Sequence, residues 1–293
     1  MYRIVKKEAL KPTVILYEIE APMVAKKAEP GQFIILRVDE NGERIPITIH
    51  DYDREKGTVT IIVQTVGATT EKLSHKQQGE CLHDFVGPLG KPTETEGKKK
   101  VCVVGGGVGC AIAYPVLKKF HDCGAEVHAV VGFKSKDVVI LEDKFKAVSS
   151  VLKVCTDDGS YGRKGLVTEA LKELLDEGNV YDEIFAIGPM VMMKFVCKTT
   201  APYNMPTTVS MSPIMIDGTG MCGGCRLTVD GKMKFTCVDG PEFDGHLVDF
   251  DEAIARSKIY EAQEQKVFER RHHYCNLQAM ADAEEAAQKK EEK

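Results

Sequence analysis

Residues 101–120 read VCVVGGGVGCAIAYPVLKKF, an apolar run that ends in Gly105, Gly106, Gly107, Val108 and Gly109 before a segment with helical spacing begins. A short continuous apolar run reads as a strand buried on both faces. Glycines directly after it let the backbone turn tightly and approach a ligand, with the N–H groups of the following helix aimed at any phosphate there. Strand, glycine turn and helix in that order open a dinucleotide-binding α/β sheet. The match to G-x-G-x-x-G is incomplete, because Ile112 occupies the third glycine's place, and glycine turns also serve chain reversal alone. The neighbouring text decides. AEVHAVVGF (125–133), SVLKVCTDDGS (150–160), LVTEALKELLDEG (166–178) and DEIFAIGPMVMMKFV (182–196) alternate short apolar strands with helical periods, the pattern of a parallel sheet. Gly188, Pro189 and Met190 form a second turn at a strand's carboxyl end, where open α/β sheets collect ligands; the ordinary reading is a helix-starting proline. Met190, Met192 and Met193 read as core or pocket lining.

Upstream the texture changes. TVILYEIEAP (13–22), QFIILRV (32–38), IPITIHDYD (45–53) and TVTIIVQTV (58–66) are rich in β-branched residues and separated by turn signals such as Pro30-Gly31 and Asn41-Gly42. These predict a small antiparallel barrel or sandwich. The polar run KPTETEGKKK (91–100) marks the boundary between the two. Within the β region, RIPITI (44–49) and VGATT (66–70) place one guanidinium, several hydroxyls and a glycine turn at strand ends, groups suited to a flavin nucleotide. The ordinary reading of such an arginine is a solvated charge.

Downstream, DGTGMCGGCRLTVDGKMKFTC (217–237) carries Cys222-x-x-Cys225 with Cys237 eleven intervening residues later, the last three members of the plant-type [2Fe–2S] pattern C-x₄-C-x₂-C…C. Four intervening residues before Cys222 stands Asp217 where the first cysteine belongs. A carboxylate has a thiolate's charge and is a hard donor for ferric iron. Asp-Gly is also a favoured turn pair, which leaves the fourth ligand open. Zinc is the rival occupant, although structural zinc sites prefer a second close pair.

With 293 residues, 43% hydrophobic and 28% charged, and a formal net charge of −5, the chain supports two or three modules and has no basic excess to attract nucleic acid or anionic lipid. No stretch of 18 apolar residues and no signal-like start is present, so a cytoplasmic protein without membrane contact is expected. Of ten cysteines, Cys102, Cys110, Cys123 and Cys155 fall in apolar or helical text and read as small buried hydrophobes. Asp249 and Glu252 have capping-box spacing ahead of a helical tail. RRHHYC (270–275) reads as surface or subunit contact and AEEAAQKKEEK (283–293) as solvated helix or frayed end. The expected modules are a β-barrel (1–97), a parallel α/β domain (98–210), a cysteine-loop domain (211–250) and a helical extension (251–293).

That module order, with PGQF (30–33), GPLG (87–90), ILEDKF (140–145) and TDDGSYGRKG (156–165), resembles the ferredoxin-NADP⁺ reductase-like flavoprotein family, in particular the electron-transfer subunits of dihydroorotate dehydrogenase B. The resemblance implies an oxidoreductase with FAD on Pro46, Ile47 and Thr48 (isoalloxazine), Ile62, Val63 and Gln64 (ribityl and ribose), and Thr69 and Thr70 (pyrophosphate). Thr48 would position the hydride step. The family's arginine stands three residues before its serine, a place held here by Ile45, whereas Arg44 lies four before Thr48. NAD(H) would lie on residues 105–109, Asp157 and the turn at 188–190, and a [2Fe–2S] cluster on Asp217, Cys222, Cys225 and Cys237. GFKSKD (132–137) offers lysines but no arginine for a 2′-phosphate, which favours NAD over NADP. The aspartate at 217 and the long tail are similar to the small subunit of NADH-dependent reduced ferredoxin:NADP⁺ oxidoreductase, also described as a sulfide dehydrogenase subunit. That likeness implies a heterodimer with a larger flavoprotein of the glutamate-synthase small-subunit type bearing [4Fe–4S] clusters, with ferredoxin served through the complex, and electron bifurcation. The alternatives are an electron-transfer subunit for dihydroorotate oxidation and, outside enzymes, a zinc-binding redox-sensing module.

Overall fold

The β-branched text of the first ninety residues forms antiparallel strands because alternate side chains find a common interior. In the computed structural model, which describes residues 1–267 and 269, these are β1 (Tyr2–Lys11), β2 (Val14–Glu20), β3 (Phe33–Arg37), β4 (Ile45–Thr48), β5 (Asp51–Asp53), β6 (Thr58–Gln64), β7 (Cys81–Leu82) and β8 (Asp84–Leu89). Short helices α1 (Pro22–Ala25) and α2 (Ala68–His75) close the ends. One sheet runs β5-β6-β2-β1-β7 and a second β4-β3-β8. Their inner faces share a core of Ile4, Tyr17, Ile19, Ile34, Leu36, Ile61 and Phe85, all fully or almost fully buried. The expected barrel of antiparallel strands is borne out.

The apolar runs of the second region become parallel strands β9 (Lys100–Gly106), β10 (Glu126–Phe133), β11 (Val151–Thr156), β12 (Arg163–Lys164), β13 (Glu183–Ile187) and β14 (Thr207–Ser210). Helices α3 (Cys110–Asp122), α4 (Glu142–Val148), α5 (Val167–Asp176) and α6 (Met190–Thr200) cover the sheet in two separate cores, as both faces of a parallel sheet require. Cys102, Cys110 and Cys155 are buried as expected. Cys123 is not: it is the C-cap residue of α3, among exposed residues 121–124 beyond the buried face of the helix, and is exposed.

After β14 the chain forms the cysteine loop, the hairpin β15 (Arg226–Val229) and β16 (Lys232–Phe235), and a short helix α7 (Thr236–Asp239). It then returns as β17 (Glu242–Asp244), antiparallel to β14, so the seven-stranded order is β12-β11-β10-β9-β13-β14-β17. Helix α8 (Phe250–Ser257) follows, and the Asp249 side chain accepts from the Glu252 N–H at 2.9 Å, as its spacing predicted. RRHHYC and the charged end lie outside the described residues. Among the described residues no helix is long and apolar enough to cross a membrane.

The polar run at 91–100 is mostly exposed but tied down at Lys91 and Thr93. The Lys91 N–H donates to the Gly240 carbonyl at 2.7 Å, and the Thr93 hydroxyl to the Glu242 carboxylate, also at 2.7 Å. Thr93 is buried, and burial pushes the Glu242 carboxyl up to about 7, against the pull of Thr93 and Lys98.

Candidate functional site

The chain lays β9, β10 and β11 outward on one side and then returns to the other side of β9 as β13. Consecutive connections diverge there, and the crevice at the carboxyl ends of β9 and β13 is where such sheets take ligands. Residues 105–109 follow β9, and Gly188, Pro189 and Met190 follow β13, so both predicted turns flank that one crevice. Their backbones touch: a Cβ on Gly109 would stand 2.7 Å from Gly188 Cα and from the Ile187 carbonyl. Gly107, at φ +56°, faces open space beside the start of α3. The Asp157 N–H donates to the Phe133 carbonyl at 3.0 Å, which sets this exposed carboxylate at the ends of β11 and β10. Asp158 accepts from the Ser160 hydroxyl at 2.7 Å, and the Lys136 ammonium lies over the Tyr161 ring at 5.6 Å. The Asp157 carboxylate at this rim suits a ribose hydroxyl, and Lys136 is the cation beside it.

On the barrel, Ile34 pairs with Ile47 and Phe33 with Thr48. Ile45 and Ile47 pack on the barrel core, so by strand alternation Arg44, Pro46 and Thr48 face outward. Contact of Ile47 with a flavin would therefore use its backbone. The half-buried Thr48 hydroxyl takes no hydrogen bond among the described residues, which leaves a donor for a bound ring. Val63 is buried in the barrel core, Ile62 packs in the core shared with the nucleotide sheet, and Gln64 ends β6 half-buried. Thr70 serves the turn itself: its hydroxyl accepts from the Val66 and Gly67 N–H groups, each at 3.0 Å, and donates to the Gly67 carbonyl. Thr69 donates to Glu43 at 2.7 Å.

His50 was not foreseen. Two residues after Thr48, it is buried, its Nδ1 lies 2.7 Å from the Ala111 carbonyl on α3, and its ring stacks on Tyr114. Burial lowers it to about 4, so it is neutral and ties the end of β4 to α3. A lone histidine in strand text carries no signal for this.

In the cysteine loop, Cys225 and Cys237 are buried with their sulfurs 3.3 Å apart, packed with Met215 against Phe33 and Ile35 of β3 and Leu89 of β8. A Cβ on Gly218 (φ +84°) would meet Ile35 Cγ1 at 2.7 Å, so the loop backbone lies flush on the barrel. Cys222 is exposed, and N–H groups of Gly224, Asp217 and Ile216 hold its thiol below the usual range, which favours thiolate. Burial, followed by the neighbouring Cys225, pushes Cys237 up to about 12, so a metal must displace its proton. The Asp217 carboxylate accepts from the hydroxyl and N–H of Thr219 and is held below the usual carboxylate range by them, then by the Met221 N–H and Arg44. Of the four predicted donors, the structure brings Cys225 and Cys237 together; the Cys222 thiol accepts from backbone N–H groups of the Asp217 segment, and the Asp217 carboxylate turns to Thr219 and Met221. Among the described residues no three His, Cys, Asp or Glu side chains are grouped to hold a single ion. With only one close sulfur pair, Cys225 and Cys237, the loop lacks the second close pair that a structural zinc site prefers, and three thiols with a carboxylate suit an iron–sulfur centre better.

Residues 212–249 match the family model of the iron-sulfur cluster binding domain of dihydroorotate dehydrogenase B. The chain is 52% identical to an uncharacterized protein in the adh 3′ region of Clostridium beijerinckii, over 91% of this chain and 93% of that one. It is 47% identical to a dihydroorotate dehydrogenase B (NAD⁺) electron transfer subunit homolog of Thermotoga maritima, over 91% of this chain and 94% of that one. A solved structure of the NADH-dependent reduced ferredoxin-NADP oxidoreductase, studied for flavin-based electron bifurcation, superposes with TM-score 0.87 at 46% identity and covers 92% of this chain and 97% of its own.

Proposed function

Because the chain belongs to the family of dihydroorotate dehydrogenase B electron-transfer subunits, we propose that it moves electrons between NAD(H) and a larger flavoprotein partner. It is an NAD(H)-dependent oxidoreductase subunit of the ferredoxin-NADP reductase type, with FAD, an iron–sulfur cluster and NAD(H) as its redox groups. Bound together, these groups supply hydride exchange between nicotinamide and flavin and one-electron carriage at the cluster. The protein's share is placement.

One observation carries the reading. A single three-stranded sheet presents the outward Thr48 and Pro46 on β4 and receives the buried sulfurs of Cys225 and Cys237 on β3 and β8. The segment suited to a flavin and the segment suited to a cluster therefore share one rigid support. His50 joins that support to α3, which starts at the glycine turn proposed for the nicotinamide nucleotide. No side chain need act as acid or base at the hydride step. Thr48 orients the ring edge, the N–H groups at the start of α3 hold the pyrophosphate, and the Asp157 rim takes the ribose.

The partner this reading favours is a glutamate-synthase small-subunit-like flavoprotein with [4Fe–4S] clusters that serves ferredoxin and NADP(H), with bifurcation in the assembled complex. The similarity to the ferredoxin-NADP oxidoreductase structure and the aspartate at 217 support it over dihydroorotate oxidation. Anaerobic purification of the native complex tests it: FAD, iron, bleaching by NADH and a two-flavin second chain are expected. A colourless zinc protein overturns the enzyme reading, and an FMN-bearing partner overturns the ferredoxin assignment.

A further inference from the structure

We propose that Arg44 is a positioning residue of the iron–sulfur loop rather than a flavin ligand: its guanidinium grips the backbone on both sides of Asp217 and lends the site positive charge. The Nε–H donates to the Ile216 carbonyl at 3.2 Å and an Nη2–H reaches the Asp217 carbonyl at 3.5 Å, across 172 and 173 residues of sequence. The third arm, Nη1, lies 3.3 Å from Asp84 Oδ2. Asp84 is itself fixed by Arg37 Nε at 2.7 Å and His83 Nδ1 at 3.0 Å. Burial works to raise the Asp84 carboxyl, but hydrogen bonds from His83 and Arg37 outweigh it, so the anchor stays ionised. A planar fork with all three arms engaged is not a solvated charge.

The spacing explains the change of role. An arginine at position 45 would lie on the same side of the strand as Ile45 and Ile47, whereas Arg44 shares the outward side of Pro46 and Thr48. There the loop already lies flush on Ile35 and Leu89 at Gly218, which brings its carbonyls within reach of the next strand. A fixed cation beside a centre that becomes more negative on reduction stabilises the reduced form and raises its potential.

The inference rests on the reading that this loop holds a cluster with Asp217 in the fourth place. The test uses the anaerobically purified full-length chain in its complex, with FAD per chain, iron per chain and the cluster midpoint by EPR-monitored titration as readouts. Arg44→Gln is expected to keep FAD and to shift the cluster's reduction equilibrium about tenfold toward the oxidised form, about 59 mV for one electron. Arg44→Lys, which keeps the charge without the fork, recovers most of that shift. Iron lost from Arg44→Gln but kept in Arg44→Lys, with FAD unchanged in both, also supports the assignment. FAD loss with an unchanged cluster potential makes Arg44 a flavin ligand and overturns it. An unchanged potential with full FAD and iron, or loss of both groups from both variants, overturns it as well. Asp217→Cys in the same titration separates the two claims: if its potential equals the wild type's, ligation by Asp217 falls while an Arg44 shift stands.

Discussion

The crevice between β9 and β13 and the loop at 217–237 reach a binding site by opposite routes. In the first, backbone does the work: two glycine turns lie against each other at the point where strand order reverses, and side chains matter mainly by being absent. In the second, side-chain atoms would be the donors, and distant residues hold their segment, with Phe33, Ile35 and Leu89 beneath and Arg44 and Asp84 alongside. A backbone-made site can be crowded out but not disarmed by one polar change, whereas a donor-made site fails when one donor is lost.

The sharpest way to break this contrast is Cys225→Ser. Iron per chain is expected to fall nearly to zero while FAD content and NADH binding stay within twofold; loss of NADH binding would show that the two regions are one site. Next in size is Gly109→Val. With Gly188 Cα and the Ile187 carbonyl 2.7 Å from the first added carbon, overpacking of about 3 kcal/mol should weaken NADH binding roughly 100-fold and leave iron untouched, as calorimetry and metal analysis would report.

A third prediction concerns the seam between the regions. Glu242 has a carboxyl raised by burial from 4.5 to about 7, so the folded chain holds its proton more tightly than the unfolded chain does. That stability is fully present below about pH 4.5, declines as pH rises through about 7 and is absent above it. Glu242→Gln keeps an acceptor for Thr93 and should add roughly 2 kcal/mol above pH 7 with a flatter profile in denaturant titrations. An unaltered slope between pH 5 and 7 would assign it to other groups. The smallest effect expected is Asp217→Cys. It should retain the cluster and lower its potential by less than the tenfold step expected for Arg44→Gln, because a thiolate gives iron more charge than a carboxylate does.

The same contrast explains what the sequence made legible. Strand runs, helical periods and the two glycine turns are local patterns, and each one located an element near where it lies. Cysteine spacing is local too, and it found the loop. The rest depends on tertiary contacts. Three residues, Glu242–Asp244, are too few to show a period, so nothing announced that the chain would return to the nucleotide sheet. Thr93 sits in charged, turn-rich text and is buried only because Gly31 and Glu242 close over it. Arg44 stands out by its neighbours in sequence, but its partners are Asp84, 40 positions away, and the carbonyls of Ile216 and Asp217, more than 170 away. Cys123 looked like core because its helix is apolar, and the helix ends one residue too soon.

The return of β17 to the edge of the seven-stranded sheet closes residues 211–241 into a sling: its ends and the hairpin residues Leu227 and Val229 pack with that sheet, while Met215, Cys225 and Cys237 rest on the barrel. Any swing of that sheet away from the barrel pulls on both ends at once and must either lift the sling off Ile35 and Leu89 or stretch it. Opening the cleft and lifting the cysteine loop off the barrel are, for this chain, one mechanical event.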